Sequence, residues 1–226
     1  MSPIVQARGL CRRFGQRWAY AHIDLEVAEG ERVLLIGANG SGKTTLLRSI
    51  ATLLQPSLGQ LSLFGMDPKT HCIDIRQKIG LLSHMTGLYE DLSAADNLTV
   101  FGRLTGSGRV DVREVLERVG LIDRRDPIGG YSAGMRRRLS LAHLLLRTPQ
   151  LTLLDEPFAS LDPEGVAAVG KIISQMPGTV IMASHQVQQA AAISNRTVLM
   201  ESGQIRWMGP ATNAWSAWRS SQVGEG

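Results

Sequence analysis

One run constrains this chain more than any other: Gly37-Ala38-Asn39-Gly40-Ser41-Gly42-Lys43-Thr44-Thr45, set directly after the apolar stretch Val33-Leu34-Leu35-Ile36. It fits the pattern G-x-x-x-x-G-K-[ST], with Gly37, Gly42, Lys43 and Thr44 at the specified positions. A loop that wraps phosphates must point backbone N–H groups inward, in conformations that glycine reaches without a Cβ penalty. Lys43 can then reach the β- and γ-phosphates, and the Thr44 hydroxyl can ligate Mg²⁺. A helix from Lys43 to about Ile50 would add the positive end of its dipole to the same place. The plain alternative, a glycine-rich turn that only joins a strand to a helix, is set aside once the flanking strand is counted. The run predicts where a nucleotide binds.

The 226 residues suit one large or two small domains, and 43% hydrophobic against 19% charged residues is enough for a sizeable core. Met1 to Leu10 carries no basic segment followed by an apolar one, and no apolar run approaches the roughly 18 residues of a spanning helix. A cytosolic chain is expected. Cys11 and Cys72 match neither a disulfide framework nor a paired metal motif, and read as plain thiols. A net charge of +4 and a pI near 9.4 allow weak attraction to anions. No basic stripe interleaved with aromatics follows, however, and Arg136-Arg137-Arg138 reads as a solvated face or a partner contact rather than a nucleic-acid site.

Along the chain, Ile4 to Ala7 and Ile23 to Val27 nearly alternate, with turn signals at Gly15-Gln16 and Glu29-Gly30, which predicts short twisted antiparallel strands ahead of the nucleotide core. Arg32 to Ile36 reads as a buried strand, followed by the loop and a helix reaching to about Leu54, before Pro56 and Gly59. This is a β-loop-α unit of the doubly wound kind. From Tyr89 to Gln150 the spacing turns helical, as in Val112, Val115, Leu116 and Val119. The β/α rhythm resumes with strand Leu151 to Leu154, a helix near Glu164 to Gln175, strand Thr179 to Ala183, a helix from Val187 to Ile193 and strand Thr197 to Glu201. The tail with Trp207, Trp215 and Trp218 is apolar at helical spacing near its end, which suits packing on the core or a partner contact.

A phosphate loop alone fits kinases, GTPases, helicases and transport ATPases. The second half of the site lies downstream, where the apolar strand Leu151 to Leu154 ends in Asp155-Glu156. Asp155 is placed to hold Mg²⁺ or its water, and Glu156 to orient or deprotonate an attacking water. Tyr131-Ser132-Ala133-Gly134-Met135 precedes that strand by about one helix, Ser160-Leu161-Asp162 follows it, and Ser184-His185 closes the next strand.

With these motifs the chain resembles the nucleotide-binding subunit of ABC transporters over nearly its whole length. The family signature Leu-Ser-Gly-Gly-Gln stands here as Tyr131 to Met135, keeping Ser132 and the second glycine, Gly134. The resemblance implies an α/β fold: a P-loop NTPase, RecA-like core with an N-terminal antiparallel β subdomain and an inserted helical signature subdomain. As one ABC ATPase domain, 1–226 would divide into core and β subdomain at 1–88 and 151–226, with the helical subdomain at 89–150. It implies that Phe14 stacks on adenine, and that ATP lies between the loop of one subunit and Ser132, Ala133 and Gly134 of a second. Asp162 would then sit at the dimer seam, and His185 would bond the γ-phosphate and its attacking water.

Two departures stand out. Ala133 replaces a usual glycine, which costs free energy if the backbone there needs positive φ. His84, in Ile79-Gly80-Leu81-Leu82-Ser83-His84, replaces a glutamine whose amide oxygen meets Mg²⁺. An imidazole suits that hard cation poorly, so His84 would act through water or as a coupling residue. With Gly87 three residues on, His84 resembles the loop of the cytochrome c maturation haem exporter ATPase, from which Ser83 departs. The expectation is an ATP-hydrolysing, Mg²⁺-dependent subunit, most similar to that haem exporter. It would be peripheral on the cytoplasmic face of the inner membrane and drive integral-membrane subunits as a dimer, without nucleic acid. Another ABC exporter of drug, lipid or polysaccharide is the alternative. A soluble ABC ATPase on ribosomes or DNA is less supported, because neither a second cassette nor a coiled-coil insertion is present. A small-molecule kinase leaves Ser132-Ala133-Gly134 without a reason.

Overall fold

The computed structural model describes residues 3–83, 87–106, 111–122 and 124–223. Two sheets carry the chain. Strands β1 (Val5–Phe14), β2 (Arg17–Val27) and β4 (Leu58–Leu63) form an antiparallel sheet in the order β2-β1-β4. The larger sheet runs β5-β6-β7-β3-β8-β9, from β3 (Arg32–Ile36), β5 (Ile79–Leu82), β6 (Leu151–Asp155), β7 (Thr179–Ala183), β8 (Arg196–Glu201) and β9 (Gln204–Pro210). All its neighbours are parallel except the β8–β9 edge pair. Every residue of β6 and β7 is buried, as expected for aliphatic strands covered on both faces.

The helices are α1 (Lys43–Ile50), α2 (Cys72–Lys78), α3 (Ala94–Thr105), α4 (Val112–Arg118), α5 (Ala133–Arg147), α6 (Pro163–Ser174), α7 (Val187–Ala191) and α8 (Ala214–Val223). Because strand side chains alternate, β3 feeds two separate cores. Val33 and Leu35 join the antiparallel sheet and Leu46, Leu47 and Ile50 of α1. Leu34 and Ile36 join α3, α4, α5 and α6 on the other side. β6 and β7 divide in the same way.

The α/β expectation with an antiparallel first layer holds, and several details differ. The first strands are long, ten and eleven residues, with irregular register between Ala7 and Arg13 rather than being short. Strands β4, β5 and β9 are additional to those read from the sequence. The first helix stops at Ile50, the nearer of the two ends read for it and short of Leu54, and the Val187 helix stops at Ala191 rather than Ile193. Cys11 and Cys72 are free thiols. In the tail, Trp207 and Trp218 pack against the helical-side core, whereas Trp215 is exposed. No helix among the described residues is long and apolar enough to cross a membrane.

One buried group makes stability depend on pH. His143 of α5 stacks on Phe101 of α3, with ring centroids 4.2 Å apart, and its Nε2 has no hydrogen-bond partner. Burial pushes its pKa down from 6.5 to about 4. The unfolded chain therefore binds a proton in the window between those values that the folded chain refuses. The contribution is complete above pH 6.5 and is lost as pH falls toward 4, amounting to about 3 kcal/mol. Urea midpoints at pH 7 and pH 5 should differ by less in His143→Leu than in the parent chain; an equal difference would remove His143 as the cause.

Candidate nucleotide site

The loop leaves β3 and enters α1 in a conformation only glycine supplies. Gly37, Gly40 and Gly42 have φ of 150°, 81° and 100°. A Cβ on Gly37 would lie 2.2 Å from the Met200 carbonyl oxygen, and one on Gly42 would lie 2.4 Å from that of Ala19. No side chain caps α1, so its first N–H groups point into the loop as a ready anion cradle. Lys43 is buried, and its Nζ donates to the carbonyl oxygens of Gly37 at 2.7 Å and Ala38 at 2.9 Å. Burial pushes its pKa down, and the carboxylates of Glu156 and Asp155 push it back up.

The acids arrive because β6 lies next to β7 in the sheet. Thr44 Oγ1 donates to Asp155 Oδ1 at 2.9 Å. Two hard oxygens so placed fit Mg²⁺, which takes one or two protein ligands and completes its shell with water and phosphate. Among the described residues no three His, Cys, Asp or Glu side chains converge as a metal site of their own. Glu156 turns into the left-handed region with φ of 50°, held by its N–H donating to Ala183 O at 2.9 Å. That turn carries its carboxylate to His185, whose ring Nδ1 lies 2.8 Å away and whose backbone N–H also donates to it at 3.2 Å. In the tautomer with its proton on Nδ1, the ring donates to that carboxylate.

Phe14, Arg17, Trp18, Ala19, the loop residues Asn39, Gly40 and Gly42 to Thr45, and Glu156 line one cleft of about 470 Å³. Phe14 is exposed at its mouth, with the Arg12 guanidinium 4.7 Å from its ring centre. Arg17 and Trp18 are cleft residues that sequence reasoning missed. The β1–β2 pairing, Phe14 opposite Arg17 and Arg13 opposite Trp18, brings them beside Phe14. A larger cleft of about 590 Å³, bounded by β4, Thr52 and Arg76, holds none of the motif residues. Chemistry rather than size locates the site.

Ser132, Ala133 and Gly134 are not part of the cleft lining in this chain. Ser132 caps α5, accepting from Met135 N–H at 3.3 Å, and Ala133 begins the helix. Ala133 is not among the positive-φ residues, so the strain expected of its Cβ does not arise. A Cβ on Gly134 would make only ordinary contacts, none closer than 3.9 Å, so no clash within the chain requires glycine there. Asp162 caps α6 by accepting from Gly165 N–H at 2.8 Å. His84 lies outside the described residues.

The ABC transporter family model matches residues 20–159, more than half of the chain. The chain is 38% identical over 205 residues to the daunorubicin resistance ATP-binding protein DrrA3 of Streptomyces coeruleorubidus, covering 87% of this chain and 65% of that relative. It is 30% identical over 211 residues to the bacitracin transport ATP-binding protein BcrA of Bacillus licheniformis, covering 91% of this chain and 69% of the relative. The fold superposes on a dimeric, post-hydrolysis structure of the ATP-binding cassette MJ0796 with ADP and Pi, at a TM-score of 0.81 and 22% identity, covering 92% of this chain and 98% of that one. The chain belongs to the ABC transporter family, among its ATP-binding subunits, which are ATP hydrolases.

Proposed function

We propose that this chain hydrolyses ATP to power a separate integral-membrane exporter of small drug-like or antibiotic-like molecules, working as a pair of cassettes on the membrane's cytoplasmic face. The observation that carries the reading is the meeting of loop and acids, with Thr44 on Asp155 at 2.9 Å and Glu156 on His185 at 2.8 Å, while Ser132-Ala133-Gly134 lies off the cleft. A site with donors for phosphate on one surface and an open helix start on another is completed by a second copy. The Ser132 hydroxyl and the Gly134 backbone then meet the γ-phosphate from across the seam, beside Asp162.

In this mechanism the loop amides and Lys43 bind the β- and γ-phosphates, and Phe14 offers a face to adenine. Thr44 and Asp155 would hold Mg²⁺, which supplies positive charge against the phosphates when bound. Glu156 orients the attacking water and takes its proton. His185 meets that carboxylate through Nδ1 and would bond the γ-phosphate and its attacking water, stabilising the charge that builds there.

The substrate class rests on relatives named for daunorubicin resistance and bacitracin transport. Haem export rests on the short His84 and Gly87 pattern, and those relatives favour the drug-exporter alternative over it. A tagged chain purified from detergent-solubilised membranes should bring down a multi-span membrane protein, with no haem absorbance in the complex. Stoichiometric haem would restore the haem reading, and recovery with ribosomes alone would end the transport reading.

A further inference from the structure

Phe14 ends β1 with 49% of its surface exposed. A phenyl ring so placed can turn about its side-chain bonds, and the freedom it loses when a base stacks on it weakens binding. Arg12 limits that motion. Two residues apart on a strand, Arg12 and Phe14 share a face, and the guanidinium carbon lies over the ring, 4.7 Å from its centre. The guanidinium is itself tied down, because its Nη1 donates to the Gln55 carbonyl oxygen at 2.8 Å. The backbone on either side of Arg12 is held by the same stretch of chain. Ser57 N–H donates to the Cys11 carbonyl oxygen at 2.7 Å, and Arg13 N–H donates to Ser57 Oγ at 3.2 Å.

Phe14 lines the nucleotide cleft and Arg12 does not. The guanidinium therefore covers a ring face turned from the cleft and leaves the opposite face for a base. A cation over an aromatic ring is attracted to it, and here the cation is fixed by a carbonyl oxygen on the far side of α1 from the phosphate loop. We propose that Arg12 is a positioning residue for nucleotide binding: clamped on the Gln55 carbonyl oxygen, its guanidinium fixes the Phe14 ring in the orientation that stacks on the base. The proposal rests on the reading that Phe14 offers a face to adenine. Its effect falls on binding of the base and leaves the hydrolytic step alone, in which Phe14 has no part.

The test is steady-state hydrolysis of Mg²⁺-ATP by the full chain carrying Arg12→Met, Phe14→Ala or both, with inorganic triphosphate as a competitive inhibitor that has no base. A positioning role predicts a KM about fivefold higher in Arg12→Met, the scale of ordering one side chain on binding, with kcat within about twofold. Inhibition by triphosphate should be parental in every variant, which also reports an intact phosphate loop. In the Phe14→Ala background Arg12→Met should add nothing, because no ring is left to hold. Three results overturn the proposal. One is a parental KM in Arg12→Met. Another is weaker triphosphate inhibition in Arg12→Met, as for a residue that props the fold through Gln55. The third is a further rise in KM when Arg12→Met is added to Phe14→Ala. A parental KM in Phe14→Ala removes the parent reading instead, whereas a raised KM in Phe14→Ala with a parental one in Arg12→Met removes only the role of Arg12.

Discussion

Glu156→Gln should bind ATP with near-parental affinity and hydrolyse it at least about a hundredfold more slowly, the usual scale for loss of a general base. Glutamine keeps the length of the side chain and an oxygen that accepts from the His185 backbone N–H, a bond of 3.2 Å in the parent. The left-handed backbone at 156, with φ of 50°, carries a Cβ in both variants, so the substitution adds no new strain. What disappears is a carboxylate able to take a proton. ATP-bound chains should consequently accumulate as dimers, because in the proposed function a second copy completes the site in which the slowed step occurs. Single-turnover hydrolysis with size-exclusion chromatography in Mg²⁺-ATP measures both; undiminished turnover would strip Glu156 of its role.

Lys43→Ala should lower nucleotide affinity by about a hundredfold or more without loss of the fold. The ammonium already donates to two loop carbonyl oxygens, at 2.7 and 2.9 Å, and also to Ser41 Oγ at 3.4 Å. Its place at the loop is thus set before any phosphate arrives. Charge-assisted bonds are each worth about 1.5–3 kcal/mol, which over one or two contacts to phosphate gives the stated loss. Stability should respond differently, since Lys43 is a buried cation whose desolvation lowers its pKa. Melting without nucleotide should change little, while protection by added ATP should vanish. A fluorescent-ATP titration with thermal melts separates the two effects, and parental affinity in Lys43→Ala would sink the assignment.

What the sequence made legible followed from local rules. The phosphate loop, β6 and β7 were visible because a glycine pattern and unbroken aliphatic runs need no tertiary information. The antiparallel layer was seen only in outline, since register shifts around Gly9 break the alternation of β1. β4 buries only Leu63 fully, so its apolar signal is weak. β5 spans four residues, and β9 carries Gly209 and Pro210 in an edge position. At the site, each acid could be named from its place after a strand, whereas Arg17 and Trp18 depend on a hairpin register. The concern over Ala133 came from comparing letters, and a helix start removes it because positive φ is not required there.

The division of β3 between two cores has a consequence for how such a chain can change over time. Residues that seat the phosphate loop, such as Val33, Leu35 and Leu46, pack on one side of the sheet, and those that seat the helices of 94–147 pack on the other. Substitutions that reshape the helical side therefore leave the packing around α1 intact. A lineage can vary the helical side while inheriting the same packing beneath the loop, with the sheet acting as a firewall between the two.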